Sequence, residues 1–305
     1  VSNQVVVKSK KFNTEQGYIW MSDGKGSYSI EKTEVANHGT EITLSIKKDE
    51  NEYLDNFRIE EIVKKYSDFV PIPIYVTGDE DKKEEDKKSQ VNSAEAIWLK
   101  DKTKIKKEEY ESFYKQSSTY YDEPLKTIHF KAEGVVNYSS LLFLPKSQPH
   151  DLYHPDRKNK LKLYVNKVFI SDKLETLIPA WLRFIPGVVD SEDLSLNISR
   201  EILQNNAVIQ KINTGITKRI LKEIKDLKSK NKDGFLEFWK NFGAVLKEGL
   251  YEFNDHHEKI LNLLRFENSL NSDSISLDSY VEKMAVDQKE IYYFANTDKE
   301  YIKNS

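Results

Sequence analysis

The chain has 305 residues, 38% of them hydrophobic and 11% aromatic, enough to build the cores of roughly two or three domains and to exclude a disordered protein. Charged residues reach 32% yet nearly cancel to a net charge of -3, which excludes a strong overall pull toward nucleic acid or anionic membrane. Cysteine is absent, which removes disulfides, thiolate chemistry and zinc-thiolate sites and fits the reducing cytoplasm; no apolar run approaches the roughly 20 residues of a membrane helix.

The opening residues Val1 to Val7 read as a strand entered partway, without an initiator methionine or a signal-peptide plan, so a fragment of a longer chain is expected. Short strands follow at Gly17 to Trp20, Tyr28 to Ile30 and Thr40 to Ile46; alternation in the last predicts one buried and one wet face. Helical spacing runs from Tyr53 to Tyr66 and stops before Pro71 and Pro73, and Ile74 to Val76 reads as another strand. Asp79 to Lys88 is charged throughout, cannot repay its ordering entropy, and is expected to be a linker at a domain boundary. A helix is predicted over Lys107 to Gln116, and strands over His129 to Ala132, Ser140 to Leu144 and Leu161 to Ile170. Strands alternating with helices favour a layered α/β sandwich. From Ser199 to Leu227, Ile202, Ile209, Ile212, Ile216, Ile220 and Ile224 form the apolar stripe of a long helix. Further helices are expected at Phe235 to Leu250, Ile260 to Leu264 and Leu277 to Met284, and an apolar strand at Ile291 to Phe294.

Candidate chemistry concentrates in the stretch Gly187 to Gln204, where Arg200 stands at a predicted helix start behind the acidic residues Asp190, Glu192 and Asp193. A helix N-terminus is already partly positive, so the guanidinium gains nothing from the dipole. On residues alone, Arg200 is either a surface arginine paired with one of those acids or a group placed to reach an anion. Asn197 or Ser199 could cap the helix, and Gln204, four residues on, would face the same way as Arg200. An acid pair within Asp190 to Asp193 would also suit an unrelated α/β enzyme, but no histidine or cysteine lies nearby to act as its base. Gly24-Lys25-Gly26-Ser27 lacks the spacing of a phosphate loop and reads as a hairpin turn. His256-His257-Glu258 lacks metal-ligand spacing and reads as solvated surface, so no metal site is expected. Trp98 is either an exposed binding residue or an ordinary core residue.

Gly187 to Gln204 closely resembles the catalytic-loop segment of the heat-shock protein 90 molecular chaperone family, bacterial type. Asn37 to Leu44, the charged run, Leu144 to Tyr153, Leu163 to Asp172, Leu177 to Leu182 and Gln288 to Tyr293 match further family segments in the same order, so the resemblance runs through nearly the whole chain. It implies an α+β fold: residues 1–77 as the end of a GHKL-type ATPase domain, 78–92 as linker, and 93–305 as middle domain. The middle domain would divide into a sandwich like ribosomal protein S5 domain 2 at 93–198, a helical part at 199–285 and the start of a small α/β unit at 286–305. It further implies an ATP-dependent chaperone whose cofactors in the full-length protein are ATP and Mg²⁺. Arg200 would reach the γ-phosphate with Gln204 in support, and Thr40 and Ile42 would lie near the nucleotide. Trp98, Leu152 and Tyr153 would contact clients or the neighbouring domain, although the family usually places an aromatic where this chain has His150. The partners implied are partly folded proteins and a second subunit joined through a C-terminal domain, with no nucleic acid and no membrane. The family's glutamate base, magnesium-binding asparagine and Asp-x-Gly-x-Gly loop have no counterpart here, so the chain alone is expected to be inactive. The alternative is a passive client- or cochaperone-binding platform without a nucleotide role.

Overall fold

The computed structural model describes residues 1–77, 89–118, 120, 122–157, 160–196, 203, 206–252, 255–268 and 274–295. The chain is mixed α+β and divides into two compact units, Val1–Glu95 and Ala96–Ser305.

In the first unit, β1 (Ser2–Lys10), β2 (Gly17–Ser22), β3 (Tyr28–Thr33) and β4 (Gly39–Ile46) form an antiparallel sheet in the order β3-β2-β1-β4. The glycine-lysine run between β2 and β3 is the hairpin turn read from its sequence. Gly24 and Gly26 take φ of 76° and 95°. Asp23 accepts the Lys25 amide at 3.0 Å, and the Ser22 hydroxyl accepts the Gly24 amide at 3.1 Å. The alternation in β4 misleads: Ile42 is 62% exposed, no residue of β4 is buried, and among residues 1–77 only Gly17 is. Alternation marks the face a second layer would cover, and among the described residues of this unit no element buries it.

The helix expected from Tyr53 is split. A 3₁₀ segment spans Lys48–Leu54, and α1 (Asn56–Tyr66) starts afresh where the Asp55 carboxylate accepts the Phe57 amide at 3.0 Å. β5 (Tyr75–Val76) pairs with β6 (Ser89–Gln90) across residues 78–88, which lie outside the described residues. Buried Asn92 locks that junction, accepting the Ile74 amide at 2.8 Å and donating to the carbonyls of Val70 and Ile72. At the end of the expected linker, Ser89 and Gln90 pair with β5 and the Val91 amide donates to the Ile74 carbonyl at 2.8 Å.

The second unit is built on β7 (Lys126–Ala132), β8 (Tyr138–Leu144), β9 (Leu161–Val165), β10 (Val168–Ser171) and β11 (Gly187–Ser191), in the order β10-β9-β11-β8-β7. β9 and β11 are parallel and the other pairs antiparallel. The single strand expected over Leu161 to Ile170 is a hairpin, turned at Asn166 and Lys167 with φ of 49° and 68°. Every residue of β8 is buried, because both faces of this sheet are covered.

One cover is aromatic. It comprises Trp98, Phe113 and Tyr114, the last two from α2 (Lys107–Ser117), with Trp98 at 5.0 Å from Tyr164 and Tyr114 at 5.1 Å from Phe143, centroid to centroid. The other is aliphatic: α3 (Ala207–Lys230) lays Ile209, Ile212, Ile216, Ile220 and Ile224 into a core shared with Leu142, Leu163 and Val189. Each such side chain contributes about 1.5–3 kcal/mol by leaving water. Asn231 ends α3 and caps α4 (Lys232–Glu248) by accepting the Gly234 amide at 2.9 Å. The long helix expected from Ser199 is not continuous, because Asn206 is extended and caps α3 through the Val208 amide at 2.8 Å. Asn197 and Ser199, the caps read from sequence, lie outside the described residues. α5 (His257–Leu261) and α6 (Leu277–Val281) follow. Ile291 to Phe294 is irregular and exposed rather than a strand; the Tyr292 amide donates to the Tyr280 hydroxyl at 3.2 Å instead of to a strand ladder.

Gly187 fixes how closely β11 meets β8. Its φ is 143°, and a Cβ there would sit 2.2 Å from the Leu141 carbonyl oxygen. Gly187→Ala is expected to destabilise the chain by about 2–3 kcal/mol, read as a fall in the urea midpoint at constant slope; an unchanged midpoint would show that the two strands can separate without penalty.

Candidate functional site

The carboxyl end of β11 is tied by side-chain hydrogen bonds to several other segments of the second unit. Asp190 is 5% exposed and stands on the central strand, not in an acidic loop. Its Oδ2 accepts the Trp98 indole N–H at 2.9 Å, and both oxygens lie 3.2 Å from the Lys167 amide in the β9–β10 turn. Burial pushes this carboxyl above its ordinary range, while the Trp98 and Lys167 hydrogen bonds pull it back.

The network continues through Trp98, whose carbonyl oxygen lies 2.9 Å from His129 Nε2. A carbonyl only accepts, so Nε2 carries a proton. Burial lowers the His129 pKa from the usual value, favouring the neutral ring, in which Nδ1 accepts from the Tyr110 hydroxyl 2.8 Å away.

On the other side of β11 stands Asn137, just before β8. Its amide donates to Asp193 Oδ2 at 2.6 Å, and its carbonyl accepts the Ser191 hydroxyl at 3.0 Å. The same hydroxyl accepts the Asp193 amide at 3.3 Å. Asp190 and Asp193 are therefore engaged within the fold and do not form an acid pair, while Glu192 is exposed. Beyond them Leu194 is buried, as is Leu203. Arg200 and Gln204 lie outside the described residues.

Two of the three expected contact residues are core residues. Trp98 and Leu152 are each 1% exposed, Trp98 because its indole is committed to Asp190 and the aromatic layer, Leu152 because it enters the aliphatic core. Tyr153 is exposed, with the Arg183 guanidinium 5.6 Å from its ring centre. Arg183 is itself held by Glu248, at 2.8 Å between Nη2 and Oε1, and donates through Nε to the Leu152 carbonyl at 2.9 Å. His150 is exposed on the same loop. Thr40 and Ile42 share one face of β4, two residues apart, with the Thr40 hydroxyl 3.0 Å from that of Ser9. Among the described residues no cluster of histidine, aspartate or glutamate could hold a metal ion. His257 bonds the Glu252 carbonyl at 2.8 Å, and His256 is half-buried rather than fully solvated.

Sequence reasoning missed Asp190, His129 and Asn137 as a tether. The available signal was Asp190 directly following Val188 and Val189, a charge at the end of an apolar run, but its partner Trp98 is too far along the chain for any local pattern to reveal.

Residues 78–305 match the family described as Hsp90 protein. Over 306 residues the chain is 47% identical to the protein named Chaperone protein HtpG of Orientia tsutsugamushi (strain Boryong), covering 100% of this chain and 48% of that protein. It is 46% identical over 302 residues to a protein of the same name from Rickettsia bellii (strain OSU 85-389), covering 98% of this chain and 48% of that one. The like-named protein of Paramagnetospirillum magneticum (strain ATCC 700264 / AMB-1) is 46% identical over 306 residues, covering 100% and 48%. The chain thus spans about half the length of these curated relatives.

The tether gives two expected outcomes. Trp98→Phe keeps an aromatic ring but removes the indole N–H together with part of the buried ring, leaving Asp190 short of a donor beside a small cavity, and should lower unfolding free energy by at least about 1–3 kcal/mol; no loss would mean that Asp190 is satisfied without it. Because the folded pKa of His129 is depressed, below about pH 6.5 the unfolded state takes up a proton that the folded state refuses, so stability falls with acidification. Wild type should therefore lose more stability than His129→Gln between about pH 7.5 and 5.5, measured by denaturant titration at each pH.

Proposed function

Because the chain belongs to the Hsp90 protein family, we propose that it is part of an ATP-driven molecular chaperone that binds and remodels partly folded proteins. Residues 1–77 are read as the end of the nucleotide domain, 78–92 as the linker, and 93–305 as the middle domain with its S5-like sandwich. The observation that carries the reading is that the family match over 78–305 includes Arg200, in a stretch whose flanks are built into the fold at Asp190, Ser191, Leu194 and Leu203.

ATP, when bound with Mg²⁺, would supply the phosphoryl group that is transferred to water. Among the described residues no cluster of histidine, aspartate or glutamate could hold the ion, and the part read for this chain is to contribute positive charge. Arg200 suits that contribution, because a guanidinium forks onto two phosphate oxygens where an ammonium meets them as a point. Gln204 would donate to the same oxygens. Thr40 and Ile42 would form part of the nucleotide-domain floor, and Tyr153 would present an aromatic surface to clients or to the neighbouring domain. The whole protein would act as a homodimer in the cytoplasm.

The test is the ATPase rate of the full-length protein carrying Arg200→Ala, with ATP affinity measured by calorimetry. We expect kcat to fall at least about tenfold at unchanged affinity, against the roughly 10³ to 10⁵ that a supplied arginine contributes in other NTPases. An unchanged rate would leave a client-binding platform without a nucleotide role.

A further inference from the structure

We propose that α4 and the segment 262–266 beside it form a docking face for an acidic segment of a partner protein that also carries a bulky apolar residue, with Lys247, Arg265 and Lys228 receiving its carboxylates. The inference goes beyond the functional reading above and needs no nucleotide. Lys247 Nζ lies 5.6 Å from the centre of the Trp239 ring and 4.9 Å from that of Phe266, and the Arg265 guanidinium lies 5.5 Å from that of Phe235. Phe235 and Trp239, both on α4, stand 6.2 Å apart, so each of two neighbouring rings carries a cation. The segment that brings Arg265 and Phe266 there is fastened at both ends. Lys228 Nζ of α3 donates to the Asn262 carbonyl at 2.6 Å, and Phe266 exchanges backbone hydrogen bonds with Ile275 at 2.9 and 2.8 Å.

The cations lack an anion. Among the described residues neither Lys247 nor Arg265 makes a hydrogen bond or an ion pair, and Arg265 Nε is shut off from water without a partner. Burial holds Lys247, Arg265 and Lys228 below their ordinary pKa values, and the Arg265 charge lowers Lys228 further. The rings offset part of that cost but carry no net charge. Among the described residues Asp278, at the start of α6, is the one acid that offsets any of the three; it is exposed and forms no ion pair with them. The face is therefore electropositive, and a carboxylate brought to it would supply the missing partner, with the guanidinium able to take two oxygens at once.

Exposure decides what kind of anion fits. Phe235 and Trp239 are buried beneath the cations, so their rings cannot stack on a nucleobase, and a nucleic acid would meet charge without a stacking platform. Phe266 is the ring left open beside Lys247, at 40% exposure, and Leu261 at the root of the segment is also exposed. A peptide can meet both features, setting acidic side chains on the cations and an apolar one on Phe266.

The experiment follows, by fluorescence anisotropy, the binding of a short labelled peptide of glutamates interspersed with leucines to the full-length protein. Wild type, Lys247→Met, Arg265→Met and Asp278→Asn are compared, with the thermal midpoint of each; methionine keeps an apolar stem over the ring while removing the charge. Expected are binding about tenfold weaker in each methionine variant, about twofold tighter in Asp278→Asn, and weaker for all as salt is raised. Binding that the variants leave unchanged overturns the inference, as does equal binding of a peptide with glutamine in place of glutamate. Tighter binding of single-stranded oligothymidine than of the peptide overturns the partner class. So does a loss that only follows the midpoint of the methionine variants, without the tightening in Asp278→Asn. ATP hydrolysis is not the readout, so failure here leaves the nucleotide reading standing, and failure of that reading leaves this face intact.

Discussion

A carboxylate in the middle of a covered sheet is the constraint around which the larger unit is arranged. Asp190 lies on the central strand with both faces of the sheet packed, and a charge taken out of water there is tolerated only with donors in place. Those donors come from distant parts of the chain: the Trp98 indole ahead of α2, and the Lys167 amide in a turn whose two residues take positive φ. The Trp98 backbone then binds His129 on the opposite edge strand, and His129 binds Tyr110 of α2. One buried charge thus specifies where the aromatic layer sits and which way its first residues face. Apolar packing alone, with rings 5 to 6 Å apart, would hold that layer without fixing its register.

The two faces of this sheet use different chemistry. On the aliphatic side, isoleucines of α3 recur at helical spacing and meet leucine and valine, where shape supplies the fit. On the aromatic side, the rings carry polar handles that have to be satisfied, so Tyr120 donates to the Phe184 carbonyl at 3.1 Å and Tyr110 to His129. Burial holds Tyr114 and Tyr120 far above the usual phenol range, so both stay neutral donors at any physiological pH.

What could be read beforehand followed from how local each cause is. The isoleucine stripe of α3 and the strands β7 and β8 are written in spacing over a few turns or residues, and periodicity exposes them. The hairpin inside Leu161 to Ile170 is hidden because Asn166 and Lys167 take positive φ without a glycine to mark it. Asp190 looked like the start of an acidic loop because Glu192 and Asp193 follow it, while the residue that buries it lies across the sheet. Ile291 to Phe294 has strand composition and no partner strand among the described residues; composition alone does not make a ladder. Of the candidate site, Arg200 and Gln204 could be nominated from the motif in which they stand, whereas the hydrogen bonds at the end of β11 depend on Asn137, which no pattern near β11 points to.

The first unit stands in contrast, since its sheet is hydrogen-bonded throughout yet only Gly17 is buried among residues 1–77. Heat capacity on unfolding measures apolar surface newly wetted, with polar exposure counting the other way. Strands whose Ile30, Ile42 and Leu44 already face water have little left to wet. Melting β1 to β4, whose strands are at most half-buried apart from Gly17, would therefore register in a calorimeter as only a small step in heat capacity, and most of the step for the chain would come from residues 96–305.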